Sequence, residues 1–101
     1  MSRGGQMRDY ELMTIHRPEL AENDVESKVG ELESALASAG CSVTGKDLWG
    51  KRRFAYEIDH LSEGYYTVVN FQADSDSVNT VDRMLSLSDE IVRHKIVGKD
   101  N

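Results

Sequence analysis

The side chains best suited to chemistry form a basic and aromatic cluster near the middle of the chain. Lys51, Arg52 and Arg53 follow one another directly, after Trp49 and before Phe54. Guanidinium and ammonium groups bind phosphates, and neighbouring rings stack on unpaired bases. A basic run on an edge strand also serves solubility and prevents unwanted strand pairing, and a tryptophan is more often a packing anchor than a stacking platform. The segment therefore predicts either a nucleic-acid contact or a solvated edge strand.

The other reactive residue types do not form a catalytic or metal-binding pattern. His16, His60 and His94 are far apart in sequence, and the single cysteine, Cys41, cannot form an internal disulfide. The sequence contains no CxxC, HExxH, GxSxG or glycine-rich phosphate loop. We therefore predict no catalytic residues, no metal, no cofactor and no small-molecule substrate.

The charges are unevenly distributed along the chain. Twelve basic and eighteen acidic residues give a net charge of −6, which argues against indiscriminate binding to polyanions. Residues 19–39 contain six acids and one base, and residues 74–89 contain four acids and one base. Residues 40–58 contain four bases and two acids. Because the acidic segments have helical patterns, we expect an acidic helical layer and a more basic sheet.

The hydrophobic periodicity predicts two helices and four strands. Apolar residues alternate along the predicted strands and recur at helical spacing along the predicted helices. The predicted strands are 8–16, 41–58, 65–71 and 90–97, and the first helix spans about 22–39. A second helix follows, with Asp74 or Ser75 as its N-cap.

Several residues predict where these elements begin, bend and end. Asn23 and Glu26 have the spacing of a capping box at the start of the first helix. Gly40 is placed to end that helix in a left-handed conformation. Gly45 and Gly50 suggest bulges in the long second strand, and residues 59–64 are expected to form a hairpin connection.

The order β-α-β-β-α-β predicts an α+β, ferredoxin-like split βαβ fold. Such a domain is a four-stranded antiparallel sheet with both helices on one face, and right-handed crossovers place strands one and three in its centre. The expected domain is 7–97, between a flexible extension at 1–6 and a short tail at 98–101. No apolar run approaches the roughly 20 residues of a membrane span and the start lacks a signal region, so we expect no membrane contact and a cytoplasmic location.

Two functions that occur on this fold fit the sequence poorly. An RNA-recognition motif needs set aromatic positions on strand three, which the segment 63–70 matches only in part. A phosphate-binding enzyme of the acylphosphatase type needs a glycine-rich loop after strand one, where residues 17–22 are acidic and lack glycine. A protein-interaction module that binds through its edge strands remains as an alternative.

Four stretches of the chain together resemble the bacterial ribosomal protein S6 family. The segment from Leu48 to Ile58 is similar to its signature, in which WG precedes basic residues, an apolar residue and AY. The other similar stretches are Met7-Arg8-Asp9-Tyr10-Glu11, Glu63-Gly64-Tyr65-Tyr66 through Asn70-Phe71, and Leu85 to Val97. The chain departs from the family at Glu57, where many members have proline, and at Asp59, where many have lysine or asparagine. These acids suggest that the far end of strand two contributes less to phosphate binding.

The resemblance implies a structural RNA-binding protein and not an enzyme. Family members bind the central domain of the small-subunit 16S rRNA as a heterodimer with ribosomal protein S18. Carried over by position, the expected rRNA-binding residues are Arg8, Lys51, Arg52, Arg53, Arg93 and Lys95. The acidic total fits joint binding, because a partner can supply positive surface.

Overall fold

A computed structural model describes residues 6–99 of the chain as one sheet with two helices. The elements are β1 (Arg8–His16), α1 (Glu22–Ser38), β2 (Ser42–Ile58), β3 (Leu61–Ala73), α2 (Ser75–Ser86) and β4 (Ile91–Gly98). The strand order is β2-β3-β1-β4, with every neighbouring pair antiparallel. The predicted fold and its central strands are therefore confirmed. Residues 1–5 of the expected extension and residues 100 and 101 of the expected tail lie outside the described residues.

The core lies between the two helices and one face of the sheet. Leu12 of β1 and Val69 and Phe71 of β3 are buried in one cluster with residues from both helices. The helical members of that cluster are Leu32, Leu36, Val81 and Leu85. Along β1 and β3, every second side chain therefore faces the helices. The side chains between them form the opposite face of the sheet, which we call the open face.

The start of α1 differs from the prediction. The N-cap is Ala21, which makes no side-chain capping hydrogen bond, so the predicted capping box at Asn23 and Glu26 is wrong. Leu20 instead packs against the buried cluster that contains Val25, a contact between the positions of a hydrophobic staple. The N-cap of α1 is therefore Ala21, two residues before Asn23, which the polar pattern predicted.

The end of α1 and the start of α2 follow the sequence signals. Gly40 has φ +93, and its N–H bonds to the carbonyl of Ala37 at 3.1 Å. The N–H of Cys41 reaches the carbonyl of Leu36 at 2.9 Å, which completes a Schellman motif. At α2 the backbone N–H of Ser77 donates to Asp74 Oδ1 at 2.8 Å, so Asp74 is the N-cap.

The long hairpin of β2 and β3 is irregular on the β2 side. The register shifts between Val43 and Gly45 and between Leu48 and Gly50, as the glycines predicted. A further shift lies between Arg53 and Ile58, where four residues of β2 oppose a single residue of β3.

The turn of this hairpin is shorter than the predicted connection at 59–64. Only Asp59 and His60 lie between the strands, with φ of 52° and 65°. Gly64 belongs to β3, where an added Cβ would lie 2.6 Å from Ile15 Cγ2 and 2.9 Å from the carbonyl oxygen of His16. This glycine therefore allows close packing onto β1 and does not form a turn.

Candidate nucleic-acid interface

Strand register defines the residues that share the open face. Tyr66 of β3 is paired with Ile15 of β1, which is paired with Arg93 of β4. The next row in the same direction contains Val68, Met13 and Lys95. Arg52 of β2 pairs with Gly64, two residues before Tyr66 on the same side of β3. Basic side chains from both edge strands are therefore placed on one face, and the two strands lie about 14 Å apart, across three strand spacings.

The six predicted binding residues do not form one patch. Arg52, Arg93 and Lys95 share the open face. Lys51 and Arg53 alternate with Arg52 and therefore project to the other side of β2. Lys51 places its ammonium 5.2 Å from the ring centroid of Tyr65, which belongs to the helix-facing core. Arg8 pairs with Ala73 at the opposite end of the sheet, more than about 20 Å from the row of Arg93.

Three rings form an aromatic stack (Trp49, Tyr66 and Phe54) beside Arg52. The rings of Trp49 and Tyr66 are nearly parallel, with centroids 6.2 Å apart and an interplanar angle of 11°. Phe54 meets Tyr66 edge to face at 6.0 Å and 64°. Trp49 remains 42% exposed, so the stack ends in an accessible indole. Such rings can pack together and still offer a surface to a planar ligand.

Arg52 and Asp47 border the indole of Trp49. The guanidinium carbon of Arg52 lies 5.7 Å from the indole centroid. Arg52 Nε donates a hydrogen bond to the backbone carbonyl oxygen of Trp49 at 3.3 Å. The indole N–H donates to Asp47 Oδ2 at 3.2 Å. The exposed ring is therefore fixed by a hydrogen bond and by stacking.

Basic residues on the two faces of the protein have different partners. Lys28 of α1 bonds to Glu90 at 2.9 Å, and Lys46 of β2 bonds to Glu33 of α1 at 2.9 Å. Among the described residues, no carboxylate lies within ion-pairing distance of Arg52, Arg93 or Lys95. The positive charges of the open face are therefore available to an external anion.

Sequence reasoning identified the basic residues but not the stack that accompanies them. Tyr66 lies on a strand that was predicted from its β-branched and aromatic composition, and its partner Trp49 is seventeen positions earlier. Only the register across two bulges brings these rings together. The glycine at position 50, with φ +86, is the local signal that the strand deviates beside Trp49.

Residues 6–99 contain neither a metal-binding cluster nor a membrane-spanning helix. This part of the chain contains no group of three or more histidine, cysteine, aspartate or glutamate side chains that could hold a metal ion. Its helices are also too short or too polar to cross a membrane.

Comparison with known proteins gives consistent results over nearly the whole chain. The family model described as ribosomal protein S6 matches residues 9–98. Small ribosomal subunit protein bS6 of Carboxydothermus hydrogenoformans is 45% identical over 94 residues, which cover 93% of this chain and 98% of the relative. The protein of the same name from Clostridium acetobutylicum is 42% identical over 92 residues, covering 91% and 97% of the two chains.

Solved structures show the same architecture. The crystal structure of 30S ribosomal protein S6 from Thermotoga maritima aligns with a TM-score of 0.87 and 27% identity, over 93% of this chain and 89% of the other. An uncharacterized protein of Thermotoga maritima aligns with a TM-score of 0.60 and 15% identity, over 94% and 100% of the two chains, a likeness of fold alone.

Proposed function

This chain belongs to the ribosomal protein S6 family, and on that premise we propose that it binds the central domain of 16S rRNA jointly with ribosomal protein S18. Family membership makes it a structural, non-enzymatic component of the small subunit on the cytoplasmic ribosome, with a role in translation. The finer proposal concerns which RNA region and which protein it binds.

The observation that best supports RNA binding is the separation of charge between the two layers. The open face has Arg52, Arg93 and Lys95 without carboxylate partners among the described residues. The helices on the other face are acidic, and their exposed carboxylates repel a phosphate backbone. Asp9, Glu11 and Asp47 also lie on the open face, so RNA phosphates are attracted to these three basic side chains and not to the face as a whole.

We assign RNA-binding roles to all six basic residues in two groups. Arg52, Arg93 and Lys95 contact phosphates across the open face. Lys51 and Arg53 contact phosphates that pass around the outer side of β2, and Arg8 contacts a separate segment at the far end of the sheet. Recognition by backbone and shape is common for structured RNA.

The partner has a physical role in this proposal. Because few phosphates are contacted and the net charge is −6, the protein alone binds RNA weakly. Ribosomal protein S18 supplies further positive surface, and a reciprocal coupling of about 1–3 kcal/mol corresponds to roughly 5- to 150-fold tighter binding.

Replacing Arg52 and Arg53 by alanine tests the assigned RNA contacts. We expect lower affinity for a central-domain rRNA fragment in the presence of ribosomal protein S18, and a salt slope that flattens by about 1 to 2 as two phosphate contacts are lost. The measurement is a titration of the fragment at two salt concentrations, with and without the partner.

The control is Arg83→Ala, which removes one exposed positive charge from α2 on the helical layer, whereas the double variant removes two. It leaves both affinity and salt slope unchanged if the open face binds RNA. The same loss of affinity per charge removed in the control and in the double variant would show that only total charge matters. Absence of binding by the folded wild-type protein, with the partner present, would favour the alternative of a protein-interaction module.

A further inference from the structure

The indole of Trp49 is exposed to solvent, yet neighbouring side chains restrain its orientation. Its N–H is bonded to Asp47 Oδ2 at 3.2 Å, and Tyr66 stacks on the ring with an interplanar angle of 11°. Tyr66 is in turn held by the edge contact with Phe54. A ring that is 42% exposed and restrained in this way loses little further freedom when a ligand stacks on it.

Backbone geometry presents this ring at a free edge of the sheet. Trp49 lies in the bulge between Leu48 and Gly50, and β2 pairs with β3 on one side only. Gly50 has φ +86, a conformation that side chains disfavour. The bulge therefore turns Trp49 out of the regular ladder, and nothing in residues 6–99 pairs with the outer edge of the strand.

Trp49 borders two hollows of different charge: Glu22 and Glu26 of α1 line one, and Arg52 and Asp47 line the other. Arg52 is exposed, lies over the indole at 5.7 Å, and has no carboxylate partner among the described residues. An exposed arginine can move from a ring to a phosphate at little cost, which uncovers the face of the ring. Asp47 keeps its negative charge while it accepts from the indole N–H, so a phosphate is repelled from that side and approaches from the side of Arg52.

We propose that Trp49 is a stacking site for one unpaired RNA base, whose phosphate is bound by Arg52. This inference rests on the proposed RNA-binding function and adds the kind of RNA group that the edge of β2 recognises. Because every base has a stacking surface, the site prefers single-stranded nucleotides and not a particular sequence. A protein side chain from a partner could also cover the ring, and the test distinguishes the two.

Trp49 is the single tryptophan of the chain, so its fluorescence reports on this site alone. We expect a single-stranded oligoadenylate to quench the emission in a saturable manner, and an RNA duplex of equal length to quench it much less. Quenching by ribosomal protein S18 alone, with no change on adding either RNA, would overturn the proposal in favour of a protein contact. Equal quenching by duplex and single strand would overturn base stacking.

Variants measure the contribution of the ring to binding of the central-domain fragment with ribosomal protein S18. Trp49→Leu is expected to weaken binding about 5- to 150-fold, the range for one base stacked on an aromatic side chain, and Trp49→Phe to restore most of the loss. Tyr56→Ala is the control, because Tyr56 is 78% exposed and has no contact in the stack. Thermal melting establishes that each variant is folded.

The two proposals fail in distinguishable ways. If the wild-type protein and Trp49→Leu bind the fragment equally, RNA binding stands and base stacking is overturned. If the wild-type protein does not bind the fragment but the oligoadenylate quenches Trp49, the stacking site stands and the ribosomal RNA assignment falls. If neither RNA has an effect, both proposals are overturned.

Discussion

At the scale of single residues, His16 is a polar side chain enclosed by the core. It is 2% exposed, and its Nδ1 has no hydrogen-bond partner. Burial lowers the pKa of His16 below its ordinary value of 6.5; the charge of Glu90 acts in the opposite direction, and Lys28 adds to the lowering. The imidazole is therefore neutral in the folded protein at neutral pH.

This burial predicts that stability falls on mild acidification. The unfolded chain binds a proton near pH 6.5 more readily than the folded protein, so the stabilisation is fully present above that pH and is lost as the pH falls toward the folded pKa. The slope from this group is at most about 1.4 kcal/mol per pH unit. Urea unfolding between pH 7 and 5.5 measures it.

Two variants isolate the contribution of His16. His16→Gln removes the titrating group and flattens the slope, whatever its effect on stability at pH 7. His60→Asn, in the exposed turn, is the comparison for replacing a histidine outside the core, and asparagine tolerates the positive φ of 65° found there. A wild-type slope in His16→Gln would contradict the explanation.

At the scale of elements, the two helix starts are stabilised by different means. Asp74→Ala removes the side chain that accepts from Ser77 N–H, and we expect a loss of about 1 kcal/mol in the free energy of unfolding. Asn23→Ala serves as the comparison and changes stability by less than about 0.5 kcal/mol, because Asn23 does not cap α1. Ala21→Ser supplies the missing cap and adds up to about 1 kcal/mol. Denaturant unfolding would contradict this account if Asn23→Ala cost as much as Asp74→Ala.

Two glycines of the first helical segment have opposite roles. Gly40→Ala forces a side chain into φ +93 and places a Cβ 3.1 Å from Ser77 Oγ, so we expect a loss of about 1 kcal/mol or more. Gly30→Ala lies inside α1 with no atom within 4 Å of the new Cβ, and we expect a gain of about 0.5–1 kcal/mol. Thermal denaturation separates the two; a gain at both positions would show that Gly40 is not needed to end the helix.

The elements were more predictable from sequence than the directions of their side chains. β1 spans the predicted residues 8–16, because alternation along an unbroken strand is a local property. The side on which Arg52 lies depends instead on two bulges and on pairing with a strand that comes later. The prediction also placed Gly64 in the hairpin turn. Glycine is needed at this position because of close packing against Ile15, which lies almost fifty positions away in the sequence.

At the scale of the whole molecule, the two layers divide the electrostatic field. The open face presents Arg52, Arg93 and Lys95 together with Asp9, Glu11 and Asp47, whereas residues 19–39 and 74–89, which include both helices, contain ten acids and two bases. The net charge of −6 therefore comes from the helical segments, which sum to −8, while the remaining residues sum to +2. We expect the acidic helical side to face away from RNA, and association to slow as salt screens the attraction of the basic side chains.

The strand order also constrains how the polypeptide acquires its fold during synthesis. β1 is made first, yet both of its neighbours in the sheet, β3 and β4, come later in the chain. The β2–β3 hairpin closes through two residues and can form locally, whereas β1 must await a partner about fifty positions downstream. The nascent chain therefore carries the apolar residues of its first strand unpaired until the hairpin has emerged, and in that interval it is most exposed to misfolding.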